Sequence, residues 1–556
     1  MPGFISVERL TFGPWAALER AVARLVSHAG FKDVSIVGGT GDQGADVVAT
    51  FKGQKWVFQA KYRNSGGMDR EAGEDAIRAM GAYEADVAVA ISNSFFYEGA
   101  YDHHAQAKND GIPLRLWNSD FLLDYYDKLP LLSKNRRELR SYQIEAVEAV
   151  EEVRSAGRQQ ALLVMATGLG KSLVASTLIA NELNRNSGQE ILVLAHMTDL
   201  VRQLETSSWS QLEKTCSSHL WTDGEKPEYE GGVVFATWQS LLAAIRGGDD
   251  LSHRFGLVIV DEAHHAPSTA FSQLIDALEP NFLVGLTATP WRSDDRSLTE
   301  QFGEPCFSMD IVEGMQQGYL SQVNYQMLTD GIDWEEISRL SKQGLTVKDL
   351  NRHLMMPDRD VAMVEMICDK MGKIENPRAL AFCRSIDHAE KLQPLFASRG
   401  IRAAVLHSGL TRPERFTNLA NFRTGNVDLL ISIEMLNEGI DVPDVNVVAF
   451  MRVTHSRRIF LQQLGRGLRI SPGKKSVHVM DFVADIRRVA AGISINKEAR
   501  SNSDKHPEIV RYHKEGIIHF DNLAAESFFD EYLADVADID NLDGGARLRF
   551  PGAEEF

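Results

Sequence analysis

The sequence predicts an α/β protein with several domains, built around sheets whose strands are mostly parallel. Its 556 residues suggest about three or four domains, because a domain typically takes roughly 100–200 residues. Short β-branched runs are apolar along their whole length, which suits strands buried on both faces of a parallel sheet. Helical stretches separate these runs, and that alternation is typical of α/β units. The clearest runs cover residues 233–236, 257–260, 282–286, 429–433 and 445–450.

The composition is that of an ordinary globular chain. Hydrophobic residues make up 44% and charged residues 24%, so large cores are available. The formal net charge of -18 argues against a surface coated with basic patches, but it allows a local groove that grips phosphates. Four scattered cysteines favour a reducing cytosol without a disulfide framework. We find neither a signal-peptide pattern nor a long apolar stretch, so we expect a cytoplasmic protein without membrane contact.

The N-terminal part combines an amphipathic helix with a hairpin. The helix is predicted over residues 15–29, and two strands over residues 46–51 and 56–61. The three residues Lys52-Gly53-Gln54 between the strands are typical of a tight turn. The polar, basic stretch 133–140 indicates a linker into the next domain.

A phosphate-binding loop is indicated between a short apolar run and a helix start. Residues 161–164 form the run, and the sequence MATGLGKS follows at residues 165–172. Glycines let successive backbone N–H groups turn inward around phosphates, and the helix N-terminus adds its positive dipole end. Lys171 is predicted to reach the β- and γ-phosphates of ATP, and Ser172 to ligate Mg²⁺. The candidate nucleotide contacts in this loop are Thr167, Gly168, Gly170, Lys171 and Ser172. Methionine replaces the first glycine of the general pattern, so a chance glycine-rich turn is the alternative from this segment alone.

An acidic strand end supplies the second half of the predicted ATP site. The apolar run 257–260 leads into Asp261 and Glu262. Asp261 is predicted to hold Mg²⁺ opposite the phosphate loop. Glu262 is predicted to orient and deprotonate the attacking water.

Together these motifs resemble a superfamily 2 helicase or translocase of the DEAH-box type, over roughly residues 139–485. The resemblance rests on segments that follow one another in the family's order. They are LRSYQ at 139–143, LAHM at 194–197, ATWQS at 236–240, DEAH at 261–264, GLTAT at 285–289, AFC at 381–383, LHSG at 406–409, NEGIDVP at 437–443 and QQLGRGLR at 462–469.

The resemblance implies two RecA-like lobes with a nucleotide between them. It assigns the adenine contact to Gln143, the gripping of a nucleic-acid strand to residues 194–197 and 236–240, and the coupling of hydrolysis to lobe movement to residues 287–289. It also assigns nucleotide and nucleic-acid sensing to the segment with Gly439 and Asp441. Arg466 and Arg469 are the implied arginines that neutralise charge on the transferring phosphoryl group. Their spacing of three residues places both on one face of a helix. ATP and Mg²⁺ are the implied cofactors.

The N-terminal domain carries a second constellation. Asp46 opens one predicted strand, and Gln59 and Lys61 share one face of the next, because strand side chains alternate. Such a cluster can hold a hard cation through oxygen ligands and place an ammonium beside an attacking water. Glu19 on the preceding helix is a candidate to complete it. Over about residues 5–128 this pattern resembles the Mrr-like branch of the PD-(D/E)xK nuclease fold, in which glutamine can replace the acidic residue before x-K.

The neutral side chain of Gln59 leaves three interpretations of this domain open. Metal affinity would rest on Asp46, a backbone carbonyl and either Glu19 or Asp42. The domain is then an active nuclease, a domain that only binds DNA, or an unrelated fold. We predict the active nuclease, with Glu19, Asp46, Gln59 and Lys61 as its site.

The resulting prediction is an α/β chain in which two tandem RecA-like P-loop lobes follow a restriction-endonuclease-like domain. The expected segments are an endonuclease domain at 1–130, an ATP-binding lobe at 131–310, a helicase C-terminal lobe at 311–489 and an acidic extension of unknown role at 490–556. The predicted function is an ATP-dependent DNA helicase or translocase coupled to a metal-dependent endonuclease, in restriction-like defence against foreign DNA. The defence role comes from analogy with this domain pairing.

Two other functions fit the sequence. One alternative is a DNA repair helicase whose N-terminal domain only binds DNA. The other is an RNA-directed ATPase. Double- or single-stranded DNA is the expected partner, with other defence-system subunits as further candidates. A homo-oligomer is also open, because cutting both strands of a duplex usually needs two nuclease sites.

Overall fold

The structure is a computed structural model, and three β-sheets organise the part of the chain that it describes. The described residues are 3–12, 15–37, 44–185, 188–227, 229–265, 269–288, 296–328, 359–383, 385–433, 445–451, 470, 474, 476–482, 510–512 and 517–520. The chain divides into two compact units. One contains residues 1–165, 170–308 and 411–417, and the other contains residues 166–169, 309–410 and 418–556. The α/β fold class predicted from the sequence is confirmed.

The N-terminal domain is a five-stranded sheet in sequence order, flanked by helices. The first three strands are antiparallel neighbours, and the last three are parallel. Its strands are β1 (Lys32–Ile36), β2 (Val47–Phe51), β3 (Gln54–Lys61), β4 (Val87–Ser92) and β5 (Leu114–Trp117). Its helices are α1 (Val7–Phe12), α2 (Trp15–Ala29), α3 (Arg70–Ala82), α4 (Glu98–Asn109) and α5 (Ser119–Lys128).

The predicted helix and hairpin of this domain are confirmed. α2 has the predicted bounds. In the turn between β2 and β3, Lys52 and Gly53 have φ angles of 51° and 80°. Positive φ at both central residues gives a turn whose twist matches that of paired strands, and Phe51 therefore pairs with Gln54.

The second sheet has seven strands in the order β12-β6-β11-β10-β7-β9-β8. Its predicted strands are fully buried because helices cover both faces. Its strands are β6 (Gln160–Met165), β7 (Glu190–Ala195), β8 (Ser218–Trp221), β9 (Val233–Thr237), β10 (Phe255–Val260), β11 (Phe282–Thr287) and β12 (Pro305–Met309). The helices of this region are α6 (Ser141–Ser155), α7 (Lys171–Arg185), α8 (Thr198–Ser208), α9 (Trp238–Arg246), α10 (Thr269–Leu278) and α11 (Arg296–Phe302), with a short 3-10 turn at Ala263–His265.

The third sheet has eight strands in the order β15-β16-β14-β17-β18-β13-β20-β19. Its described helices are α12 (Ile311–Gln316), α13 (Arg359–Gly372), α14 (Ile386–Ala397) and α15 (Arg412–Thr424). Its strands are β13 (Gln322–Leu328), β14 (Ala379–Phe382), β15 (Ala403–Leu406), β16 (Leu429–Ser432), β17 (Val447–Phe450), β18 (Ser476–Phe482), β19 (Val510–Tyr512) and β20 (Ile517–Phe520). β20 pairs antiparallel with β13. Part of the predicted C-terminal extension therefore belongs to this sheet.

The predicted linker at 133–140 contains no helix or strand, and its first three residues are folded against the N-terminal domain. Ser133 is buried, and the Lys134 N–H donates to the His28 carbonyl at 3.3 Å. Asn135 Nδ2 donates to the carbonyls of Ser27 and Phe31 at 2.9 and 2.7 Å. These bonds satisfy backbone carbonyls near the end of α2, so the segment is folded onto that domain.

The N-terminal domain and the seven-stranded sheet belong to one compact unit. Trp209, which follows α8, belongs to the hydrophobic core of the N-terminal domain. Lys214 Nζ donates to the carbonyls of Tyr126, Asp127 and Leu129 at 3.1, 3.0 and 2.9 Å. The end of α5 is therefore capped by a side chain from the neighbouring domain. Within the described ranges, no helix has the length and apolar character needed to cross a membrane.

Candidate active sites

The predicted nucleotide-binding elements meet at the carboxyl edge of the seven-stranded sheet. β6 ends at Met165 and α7 begins at Lys171, so the phosphate loop connects a buried strand to a helix. Gly168 and Gly170 have φ angles of 96° and 82°, a left-handed conformation that glycine adopts readily. The Lys171 ammonium lies 3.3 Å from the Met165 carbonyl oxygen and 3.8 Å from Glu262 Oε1. The loop lysine and the acidic strand end therefore lie side by side.

Gln143, the predicted adenine contact, packs directly against this loop. It is 4% exposed, and its Oε1 accepts a hydrogen bond from the Arg140 backbone N–H at 3.0 Å. A Cβ added to Gly170 would lie 2.5 Å from Gln143 Nε2. The loop therefore needs glycine at this position for two reasons, its φ angle and this close approach.

A histidine joins the acidic strand end to the neighbouring strand. His264 Nδ1 lies 3.3 Å from Glu262 Oε2 and 2.9 Å from Thr287 Oγ1, at the end of β11. His264 and Thr287 are both buried. Glu262 has a φ of 49°, which is strained for a residue with a side chain and is common at functional positions. The candidate catalytic carboxylate is thus linked to the segment that the sequence assigns to coupling.

The predicted strand-gripping segments follow two neighbouring strands of the same sheet. Residues 194–197 end β7, and residues 236–240 end β9. Gln239 Nε2 donates to the His196 carbonyl at 3.2 Å, and Thr237 Oγ1 lies 2.7 Å from Ser240 Oγ. Because the carboxyl ends of parallel strands share one edge, the nucleotide elements at β6, β11 and β10 adjoin the gripping elements at β7 and β9.

Four predicted site residues lie outside the described residues. They are Gly439, Asp441, Arg466 and Arg469. Two other second-lobe segments, 381–383 and 406–409, lie at the ends of β14 and β15. The roles of all these residues stay predictions.

The N-terminal site is built where β2 begins and β3 ends. Asp46 and Gln59 are 4% and 5% exposed. Gln59 Nε2 donates to Asp46 Oδ2 at 2.7 Å, and the Ala60 backbone N–H donates to the same oxygen at 2.6 Å. The structure thus brings the predicted acid and amide into direct contact.

Lys61, two residues further along β3, pairs with an acid that the sequence analysis missed. Its ammonium lies 2.8 Å from Asp75 Oδ2 on α3. Glu19 is 7% exposed on α2, a helix that packs against β2 and β3. Its place in the site stays a prediction, and Asp42 lies outside the described residues.

Both sites offer oxygen ligands that suit a hard divalent cation. Gln59 Oε1 is buried and makes no hydrogen bond within the described part of the chain, so it is available to a cation beside the Asp46 carboxylate. Ser172 and Asp261 supply a hydroxyl and a carboxylate at the ATP site. Across the described residues, no group of three or more His, Cys, Asp or Glu side chains is arranged around a metal position. Mg²⁺ fits such sparse sets, because it retains several waters and binds through one or two carboxylates.

The two residues that the sequence analysis missed differ in how they could have been found. His264 is the last residue of the DEAH motif, so the sequence identified it as a motif residue. The sequence did not predict its contact with Thr287. Asp75 lies on a helix distant in sequence from Gln59 and Lys61, inside a charged stretch with Arg70, Glu74 and Arg78. No local pattern separates it from the surface charges around it.

Comparison with known proteins gives matches over three successive parts of the chain. Residues 13–126 match the family described as a restriction endonuclease of the Mrr catalytic type. Residues 136–292 match the family of the Type III restriction enzyme res subunit, and residues 362–471 match the helicase conserved C-terminal domain.

Curated relatives are similar to this chain over about two thirds of its length. The endonuclease subunit of the Type I restriction enzyme EcoAI of Escherichia coli is 26% identical over 396 residues, which are 65% of this chain and 47% of the relative. The DNA 3'-5' translocase XPB2 of Sulfurisphaera tokodaii is 26% identical over 381 residues, 62% of this chain and 81% of the relative. The chain spans about half the length of two strongly matching relatives, 51% and 47%.

One solved structure, the ATP-dependent Type ISP restriction-modification enzyme LlaBIII bound to DNA, shares the fold. It is 17% identical with a TM-score of 0.51, and the match covers 96% of this chain and 38% of that one. The strand–loop–helix at Lys171, the acidic strand end at Glu262 and the N-terminal hairpin site agree with the family matches. The chain therefore joins an N-terminal Mrr-like restriction endonuclease domain to the two domains of a superfamily 2 helicase.

Proposed function

We propose that this chain is an ATP-dependent DNA translocase or helicase that carries a metal-dependent endonuclease. The motor assignment rests mainly on one observation, the 3.8 Å approach of the Lys171 ammonium to Glu262 Oε1. A cation that binds phosphates and a carboxylate that activates water must stand on either side of the γ-phosphate. These two groups come from β10 and from the loop after β6, and β11 between them carries the coupling segment.

The chain's own residues account for ATP hydrolysis as follows. The loop backbone and Lys171 hold the phosphates, and Glu262 orients a water and accepts its proton. His264 Nδ1 lies between the Glu262 carboxylate and the Thr287 hydroxyl and connects the two. Ser172 and Asp261 would hold Mg²⁺, which neutralises phosphate charge when bound. Arg466 and Arg469 are proposed to add positive charge from the second lobe.

The nuclease assignment rests on the contact between Asp46 and Gln59. Asp46 and the Gln59 amide oxygen would hold Mg²⁺, which polarises the scissile phosphate when bound. Lys61 would orient the attacking water, and Glu19 would complete the acidic set. A role in defence against foreign DNA, together with other defence subunits or a second copy of the chain, is supported by the similarity to named restriction enzymes. The four cysteines are free thiols, which supports a cytoplasmic location.

The motor is tested by Lys171→Ala. ATP hydrolysis, followed by phosphate release with DNA present, should fall to background because the loop loses the cation that binds the β- and γ-phosphates. Lys226→Ala is the control, since it removes an exposed lysine of the same lobe that pairs with Asp249. Undiminished turnover in Lys171→Ala would overturn the assignment.

The nuclease is tested by nicking of supercoiled DNA with Mg²⁺, with and without ATP. Asp46→Ala and Lys61→Ala should both abolish cutting, while Lys108→Ala, on the exposed surface of α4, should cut like the parent. If the two variants cut as fast as the parent, this site is wrong. If the parent binds duplex DNA and never cuts it, the domain only binds DNA, as the neutral Gln59 allows.

DNA and RNA are distinguished by their effect on ATP turnover. We expect stimulation by duplex or single-stranded DNA, and the comparison uses RNA of the same sequence and length. Stimulation by RNA alone would replace the DNA assignment with an RNA-directed ATPase.

A further inference from the structure

The proposed nuclease site has few acidic groups to balance a bound cation and the positive charge of Lys61. Gln59 is neutral, and its Nε2 donates to Asp46 Oδ2, so the two strands β2 and β3 contribute a single carboxylate to the site. A cation and a basic side chain in one site repel each other unless acidic groups separate them. A second acid is therefore expected within reach of Lys61.

Asp75 supplies that acid from α3. Its Oδ2 lies 2.8 Å from Lys61 Nζ, and its Oδ1 lies 3.1 Å from Arg78 Nη1. One oxygen thus serves each cation, which fixes the orientation of the carboxylate. The side chains of Lys61 and Asp75 are 38% and 25% exposed, whereas the nearby pair Arg70–Glu74 on the same helix is 57% and 45% exposed. The Lys61–Asp75 pair is therefore less screened by solvent than an ordinary surface pair.

The backbone at Gly44 lies close to both α3 and the Gln59 side chain. Gly44 has a φ of 87°, and a Cβ added there would lie 3.4 Å from the Asp75 carbonyl oxygen and 3.5 Å from Gln59 Oε1. The helix turn with Asp75 and the Gln59 amide therefore approach the same point, two residues before Asp46.

We propose that Asp75 is a positioning residue of the nuclease site. Its carboxylate holds the Lys61 ammonium in place and supplies a negative charge that Gln59 does not provide. The proposal rests on the proposed nuclease function and adds to it the residue that compensates for the neutral Gln59.

The test compares Asp75→Asn, Asp75→Glu and Glu74→Gln in the full chain. Asp75→Asn keeps the shape of the side chain and removes its charge. Glu74→Gln removes an equivalent charge from the preceding position of α3. We expect Asp75→Asn to lower the single-turnover nicking rate at saturating DNA by about 10- to 100-fold, with little change in the affinity for DNA. Asp75→Glu should recover most of the rate, and Glu74→Gln should match the parent.

A second readout does not depend on cutting. Acetylation of individual lysines, quantified by mass spectrometry, should modify Lys61 several-fold faster in Asp75→Asn than in the parent, because the ammonium loses its carboxylate partner. Lys108 should react alike in both. Equal Lys61 labelling, or a nicking rate of Asp75→Asn equal to that of Glu74→Gln, overturns the proposal.

Failure of the nuclease function itself gives a different pattern. If parent and Lys61→Ala nick DNA alike, the proposed nuclease site is wrong and Asp75 has no rate to position. If Lys61→Ala is inactive and Asp75→Asn cuts like the parent, the nuclease function stands and only the role of Asp75 is rejected. A uniform drop in melting temperature and in DNA affinity, without recovery in Asp75→Glu, also rejects it in favour of a structural role.

Discussion

At the scale of single residues, burial beside positive charge makes His219 sensitive to pH. His219 is 6% exposed on β8, and its Nε2 lies 3.1 Å from the Gly231 carbonyl oxygen. Burial, with smaller contributions from the charges of Arg9 and Arg20, lowers the pKa of His219 from 6.5 to about 4. The Gly231 carbonyl and Glu190 act in the opposite direction but do not offset the burial. The folded chain therefore holds this ring neutral at pH values where the unfolded chain protonates it.

We predict that the folded chain loses stability as the pH falls below about 6.5. Because the pKa is lowered in the folded state, the contribution of neutral His219 is complete above that pH and is lost as the pH approaches 4. Between pH 7.5 and pH 5 the loss from this residue is about 2 kcal/mol. His219→Gln keeps a hydrogen-bond donor and does not titrate, so thermal melting of this variant should vary less with pH. An equal pH dependence in both proteins would contradict the prediction.

The sequence predicted the position of a site residue where a short motif contains that residue. It did not predict residues that reach the site only through tertiary packing. Lys171 and Glu262 stand at positions fixed by strand ends, so their proximity follows from sequence order and strand polarity. Asp75 reaches Lys61 only because α3 packs across the sheet next to Gly44. That packing depends on many distant contacts, which no short pattern encodes.

At the scale of elements, α2 is unusual because two of its sides are buried. One side packs on the sheet of its own domain, and the other faces the next domain. Arg24 is 1% exposed, its Nη2 donates to the Glu213 carbonyl at 3.0 Å, and its guanidinium lies 4.4 Å from the Phe4 ring centre. Its Nε and Nη1 make no hydrogen bond within the described residues. Burial accordingly lowers the pKa of Arg24. A charge in this position costs desolvation energy that one hydrogen bond and one ring contact offset only in part.

We predict that Arg24→Met and Arg24→Ala differ sharply in stability. Methionine fills a similar volume without a charge, so the variant should unfold within about 1 kcal/mol of the parent or be more stable. Alanine leaves a cavity and should destabilise the chain by roughly 2–5 kcal/mol. Denaturant unfolding followed by tryptophan fluorescence measures both, since Trp209 lies in the same core. If Met is as costly as Ala, the charge itself stabilises the contact.

The elements were predictable where periodicity was strong and the residues were apolar. The strands β9, β10 and β11 extend the predicted runs by one or two residues, and β16 is one residue shorter than its run, because a buried strand leaves an uninterrupted apolar signal. In the segment 133–140, the sequence pattern did not give the contacts of the first residues. Its polar residues are typical of a linker, but the Asn135 side chain and the Lys134 N–H bond to α2 and the following turn.

At the scale of the whole molecule, the nuclease domain is part of the same compact unit as the first helicase domain. Lys214 caps α5, Trp209 completes the N-terminal core, and Arg20 of α2 pairs with Glu225 at 2.5 Å and with Glu205 at 3.8 Å. These contacts include buried groups on both sides, unlike the exposed, polar contacts of domains joined by a free tether. We infer that the proposed nuclease domain and the first helicase domain move together as one rigid unit.

The connecting segment gives the sharpest test of that inference. Residues 133–140 contain exposed Lys134, Arg136, Arg137 and Arg140, four sites for trypsin in a short stretch. A flexible tether would be cut there first, because a protease needs several residues of extended, accessible backbone. We predict that brief trypsin digestion of the native chain leaves this segment intact, since Asn135 and the Lys134 N–H are bonded to the N-terminal domain.

Asn135→Ala removes two of these bonds and should speed cleavage at the segment several-fold, with Asn109→Ala at the exposed end of α4 as the matched control. Immediate cleavage of the parent between residues 133 and 140 would show instead that the nuclease domain moves independently of the motor.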